Sequence, residues 1–210
     1  MQPTNWNVVV RASWNLAILT PRGIAQRLFG LPAGTPVEIR IPLDGRNPYQ
    51  VHHDGLVVVA SEDQLIVEPD VCDIANLKRA MLLGSRALEQ LPETPCTAAG
   101  FNLRYEINPV PDTLLDVVQC AMDDRLAEAG HILTARKRGA AWQYGEGILN
   151  VEIALDGNAG LVALNFHRTS TDVASLRQWL DPNVREVEER IERLSEILGL
   201  VQHTAEHHNA

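Results

Sequence analysis

The feature that most restricts the fold of this chain is a series of short runs in which apolar and polar residues alternate, each closed by turn-forming residues. In "NVVVRASW", Val8, Val10, Ala12 and Trp14 alternate with Val9, Arg11 and Ser13, the period-two pattern of a half-buried strand, and the pattern allows an extension to Ile18. The runs "VEIRI", "YQVHH", "LVVVA" and "QLIVEP" follow, separated by Asp44-Gly45, Asp54-Gly55 and Ser61-Glu62-Asp63. Such punctuation predicts a β-meander. "GFNLRYEI" adds a strand with Phe101, Leu103, Tyr105 and Ile107 on one side and Asn102, Arg104 and Glu106 on the other. Three or four more are expected from "HILTARKR", "AAWQY", "ILNVEIAL" and "LVALNFHR", the last two joined through Asp156-Gly157.

Between these runs the period changes to that of helices. Thr20-Pro21 supplies an N-cap hydroxyl and a proline at the first helical position, and Gly30 suits the left-handed C-terminal position, so a helix is expected over about 21–29. Asp73 caps a predicted helix over 74–91 with an apolar stripe of Ile74, Leu77, Met81, Leu88 and Leu91. Thr113 and Asp116 resemble a capping box opening a helix that ends at Gly130 and buries Leu115, Val118, Met122 and Leu126. A helix over 172–180, a break at Asp181-Pro182 and a long helix from 183 to about 198 close the chain.

Mostly hairpin connections with few crossovers predict an α+β fold: a largely antiparallel sheet or sheets, helices packed mainly on one face, and a long C-terminal helix. A single domain over 1–210 is expected, with two lobes, 1–108 and 109–210, as the alternative division; no residue-level repeat supports the latter.

The 210 residues carry a net charge of −9, which opposes broad binding to nucleic-acid backbones or anionic lipid. The N-terminus "MQPTNWNVVV" lacks the basic and apolar regions of a signal peptide, and the longest apolar run, "LVVVA", is too short to cross a bilayer. A cytoplasmic location is therefore expected. Cys72, Cys96 and Cys120 are widely spaced and form no CxxC pair, as free thiols in a reducing compartment would be. No P-loop, GxSxG elbow, HExxH motif or dinucleotide fingerprint is present, so no cofactor is called for. Asp123 and Asp124 diverge on a helix and are read as solvated acids.

Candidate functional surfaces are three. The polar sides of several strands carry Arg11 with Ser13, Glu38 with Arg40, Asn102 with Arg104 and Glu106, Glu152, and Asn165 with His167; if the strands are neighbours, these join into a band on the side away from the helices. A guanidinium there suits a carboxylate or phosphate. In "ARKRGAAWQY", cations precede Trp142 and Tyr144, but alternation sends Lys137 to one face and Arg136 and Arg138 to the other, which predicts a charge-guarded hairpin edge over a nucleic-acid site. The C-terminal helix places Val184, Val187, Ile191, Leu194 and Leu198 at heptad positions, a stripe that packs on its own sheet or on a partner helix. His203 and His207 in the tail have zinc-compatible spacing if helical, but the composition suggests fraying, and no metal site is expected. In "VHHDGL", Asp54-Gly55 as a two-residue turn sets His53 opposite Leu56 and His52 opposite Val57, so the two imidazoles point to opposite faces.

The "DGLVVVASEDQLIVEPD" hairpin, the helix after it and "AAGFNLRYEI" resemble in layout an uncharacterised, sporadically distributed family of bacterial proteins. The resemblance covers about the first half and implies bacterial origin and an α+β fold, with no activity or catalytic residues to carry over; Glu106 departs from it where that family more often has an apolar residue. The functional expectation is an interaction or assembly module, a homo-oligomer or the holder of a protein partner. The alternative is a binder of, or enzyme acting on, an anionic metabolite.

Overall fold

A computed structural model of the chain describes residues 1–43, 48–185 and 187–198; the Asp44-Gly45 turn and the histidines at 203 and 207 lie outside them. Among the described residues the fold is α+β, built on one antiparallel sheet of nine strands. These are β1 (Gln2–Ala12), β2 (Glu38–Arg40), β3 (Gln50–His53), β4 (Leu56–Ala60), β5 (Gln64–Pro69), β6 (Cys96–Ile107), β7 (Ala135–Tyr144), β8 (Gly147–Asp156) and β9 (Ala159–Thr169). Their spatial order is β2-β3-β4-β5-β1-β6-β9-β8-β7. Two meanders thus flank a central pair, β1 and β6, whose long antiparallel register runs from Gln2 opposite Glu106 to Ala12 opposite Cys96.

The helices lie on one face. Helix α1 (Pro21–Gly23) is capped by Thr20, whose hydroxyl accepts from Gly23 N, and it runs on as a π-helical turn, Ile24–Leu28. Helix α2 (Ile74–Gln90) starts at Asp73, whose carboxylate accepts from Asn76 N at 2.7 Å. Then come α3 (Asp112–Val118), α4 (Ala121–Glu128), α5 (Val173–Trp179, capped by Asp172), α6 (Pro182–Arg185) and α7 (Val187–Ile197). Against them the sheet buries Trp6, Val8, Val10, Phe101, Leu103, Leu164 and Phe166. Phe101 and Phe166 are register partners and stack with centroids 4.5 Å apart. Such a large buried apolar face provides the main stabilisation.

Several expectations are corrected. Strand β1 extends toward the N-terminus, and no strand continues to Ile18: Trp14 Nε1 donates back to Val10 O, and Asn15 O accepts from Ile18 N and Leu19 N, which turns the chain. The helix expected up to Gly130 is two helices broken at Gln119, whose backbone is extended (ψ 144°), and α3 opens at Pro111 without a side-chain cap. That break leaves Met122 61% exposed and turns Leu114 and Asp123 inward. "HILTARKR" and "AAWQY" form one strand, β7, that starts only at Ala135. The Asp54-Gly55 turn stands as expected: His52 pairs with Val57, His53 with Leu56, and Asp54 has φ 50°.

Candidate functional site

No described helix or strand packs on the face of the sheet turned away from the helices, although at its β3–β4 end His52 and Val57 are buried, at 8% and 6% exposure. Register fixes its composition row by row. One row crosses the sheet as Glu38, His52, Val57 and Glu68 on β2 to β5, and Asn7, Asn102, Asn165, Asn150 and Ala141 on β1, β6, β9, β8 and β7. The next row holds Arg40, Gln50, Val59, Ile66, Val9, Gly100, His167, Ile148 and Gln143. On the other side of the asparagines lie Asn5, Arg104, Ala163, Glu152 and Gly139.

The four asparagines occupy successive strands at one level and are joined head to tail. Asn150 Nδ2 donates to Asn165 Oδ1 at 2.9 Å, Asn165 Nδ2 to Asn102 Oδ1, Asn102 Nδ2 to Asn7 Oδ1 at 2.7 Å, and Asn7 Nδ2 to Asn5 Oδ1 at 3.0 Å. Every amide donates in the same direction, so the side-chain dipoles add and polarise one another. The donor end of the chain is Asn5, whose register partner is Arg104. His167 joins at the side: its Nδ1 lies 2.9 Å from Asn165 Oδ1 and 3.2 Å from Asn150 Nδ2. It donates to the first in one tautomer and accepts from the second in the other, leaving Nε2 for other partners.

Two depressions flank this row. The larger, about 740 Å³, has small residues at its base, Gly139, Ala141 and Ala163, and Arg104, Asn5 and Glu152 at its sides. The smaller, about 400 Å³, lies beside His167, Arg11, Gly100 and Val9. Gly100 has no room for a side chain: a Cβ there would run into Phe166 O and the His167 backbone. On the β5 side, half-burial raises the Glu68 carboxyl above the usual glutamate range, because a carboxylate there is poorly solvated.

The residues read from the sequence as one band lie on this one face, and the strand order spreads them along it. Arg11 is paired with Asp63 at 3.2 Å, and Arg40 with Glu38 at 2.7 Å, both in the open. The Ser61 hydroxyl, which donates to Asp63, and then Arg11 hold the Asp63 carboxyl low. Arg40 sits on edge strand β2, five strands from Arg104 on β6, so the arginines do not converge on one ligand. Glu106 faces the same side, two residues along from Arg104 and opposite Leu161. Arg104 has no ion pair among the described residues, and His167 is tied into the asparagine row. His52 also faces this side, beside Gln50 Oε1 at 3.3 Å, while His53 packs edge-on against Phe29 on the helix side.

The C-terminal stripe is not on offer to a partner helix. Val187, Ile191, Leu194 and Leu198 are 7% exposed or less and belong to the chain's own core; α7 is tied down by Glu188 to Lys78 at 3.1 Å and by Arg190 over the Tyr144 ring. Val184 lies in α6, its side chain outside the described set. Asp123 is likewise not a solvated acid: it is 9% exposed and bonded by Arg136 Nε at 2.7 Å, which holds its carboxyl below the usual range.

Asn5, Asn7 and Asn150 were not among the sequence candidates. Their signal is present nonetheless: four strands each hold an asparagine between two large apolar residues, as Trp6-Asn7-Val8, Phe101-Asn102-Leu103, Leu149-Asn150-Val151 and Leu164-Asn165-Phe166. Asparagine is disfavoured inside strands, so four repetitions mark a position shared across the sheet. Among the described residues no group of three or more His, Cys, Asp or Glu is placed to hold a metal ion, and no helix is long and apolar enough to cross a membrane. No protein-family model matches the chain, and no curated protein matches it.

Proposed function

We propose that the protein is an interaction module that works by holding a partner protein over the uncovered sheet face. The observation that carries this reading is the size and make-up of that face. Nine strands at a spacing of about 4.8 Å, the longer ones of about ten residues, span on the order of 1,000 Å². That is more than the roughly 800 Å² each partner contributes to a standard interface. Half-buried Val9, Ile66, Val59 and Leu161 alternate with amides that are already hydrogen-bonded to one another along the row. Covering them costs less desolvation than covering free amides would, as in interface cores that mix apolar contact with hydrogen-bonded polar groups.

A photo-crosslinking residue placed at Ala163 in the protein expressed in its own cells tests this. A discrete protein adduct is expected from position 163 and none from Leu82, exposed on the helix side. Equal, diffuse labelling at both would overturn the proposal.

A second reading has its own observation: the donor end of the amide chain at Asn5 is the register partner of Arg104, which has no ion pair among the described residues, a place for a carboxylate or phosphate at the edge of the larger depression. Thermal-shift screening with small carboxylates and phosphates, with Arg104→Gln as control, measures it; stabilisation lost in the variant supports an anion site, and no shift in the wild type removes it.

A further inference from the structure

The two edges of the sheet differ. Strand β2 is a three-residue edge, too short to template another chain, whereas β7 presents ten residues with no strand on its outer side among the described residues. The cations expected to guard that edge are engaged elsewhere: Arg136 with Asp123, Arg138 Nη1 with Val117 O at 2.8 Å, and Lys137 with Glu152 at 2.9 Å. The middle of the strand, Gly139-Ala140-Ala141, is exposed and offers no steric or charged obstruction.

Backbone direction alternates along this edge. Tyr144 and Gly147 close a two-residue turn and form a hydrogen-bonded pair, so alternate residues point their N–H and C=O away from β8. Lys137, Gly139, Ala141 and Gln143 therefore carry the free edge groups.

We infer that β7 pairs antiparallel with β7 of a second copy of this chain about a two-fold axis at Ala140. In this register Gly139 faces Ala141 of the second copy and Lys137 faces Gln143, so the outward N–H and C=O groups meet their complements. Ala140 faces Ala140, Arg138 faces Trp142, and Arg136 faces Tyr144. No cation opposes a cation in this register, which any register with the basic ends together would force, and the exposed Trp142 ring stands opposite Arg138. Trp142 is 39% exposed while the other three tryptophans are at 5% or below, as a residue held for an intermolecular contact would be. The pairing is isologous and closes at two copies. It does not depend on what covers the open face.

The axis makes a positive test available. Ala140 and its symmetry mate form a non-hydrogen-bonded antiparallel pair with Cα atoms about 4.5 Å apart, within the span a disulfide bridges. With Cys72, Cys96 and Cys120 replaced by serine or alanine, Ala140→Cys is expected to give a covalent dimer under mild oxidation, and a cysteine at Asp156, beyond the strand's reach, is not. In parallel, the wild type is expected to sediment at twice the chain mass at tens of micromolar. Ala141→Pro, which deletes an outward N–H and leaves the β7–β8 ladder intact, is expected to sediment at the chain mass with an unchanged circular dichroism spectrum. A wild type that stays monomeric, an Ala140→Cys variant that does not cross-link, or a dimer indifferent to Ala141→Pro would each overturn the pairing.

Discussion

Replacing Asn165 by alanine probes the asparagine row at its centre. The side chain donates to Asn102, accepts from Asn150 at 2.9 Å and contacts His167 Nδ1 at 2.9 Å. A neutral hydrogen bond contributes about 0.5–1.5 kcal/mol net, and a donor or acceptor left buried without a partner costs about 1–3 kcal/mol. Here the face is open and half-buried, so water can reach Asn102 Oδ1 and Asn150 Nδ2 once Asn165 is gone. The expected loss is therefore about 1 kcal/mol, equivalent to a fall in Tm of about 2–4 °C for a chain of this size. Because the amides form one polarised chain, Asn102→Ala in the Asn165→Ala background is expected to cost less than in the wild type, with a coupling of about 0.5–1 kcal/mol in a double-mutant cycle of urea unfolding. Strict additivity would refute the coupled row. A single-variant loss above about 3 kcal/mol would refute the openness of the face, since only a roofed site leaves its amides without water.

Other outcomes follow from the same geometry. Gly100→Ala is expected to destabilise by about 1–3 kcal/mol, because the added Cβ meets β9 backbone and not a movable side chain; thermal unfolding measures it. The Glu68 carboxyl is raised by burial, so the stability its protonated form contributes is present below the ordinary value of 4.5 and lost as pH rises through the raised folded value. Glu68→Gln should thus match the wild type in acid and exceed it at neutral pH, read from denaturant midpoints. Asp123 has the opposite sign: Arg136 lowers its carboxyl, and the resulting stability is present above the ordinary 3.8 and lost as pH falls through the lowered folded value. Asp123→Asn is expected to be less stable at neutral pH and to lose less on acidification, checked by the same midpoints.

What could be read from the sequence was whatever a short window encodes. The turn at Asp54-Gly55 sets its own register, because a two-residue loop fixes which residues face each other. The cap at Asp73, the stop before Pro92 and the alternation in β6, β8 and β9 are equally local. Positions that depend on distant partners were not legible. Strand β1 reaches Gln2 because β6 offers it a ladder, although Thr4 and Asn5 hide the period. The break at Gln119 has no proline or glycine to announce it. The arginines read as one band are spread across the sheet because strand order sets β2 and β6 five strands apart. Conversely, the heptad stripe from Val187 to Leu198 has a sequence pattern equally suited to a partner or to the chain's own core, and burial assigns it to the core.

The most direct measurement of the central claim is side-chain footprinting of the open face by hydroxyl radicals, comparing the purified chain with the native complex isolated from its own cells. Ile66, Leu161 and Ile148, all on that face, are expected to lose labelling in the complex while Leu82 and Met122 keep theirs. Unchanged labelling of Ile66, Leu161 and Ile148 would contradict the claim that a partner sits on the uncovered sheet.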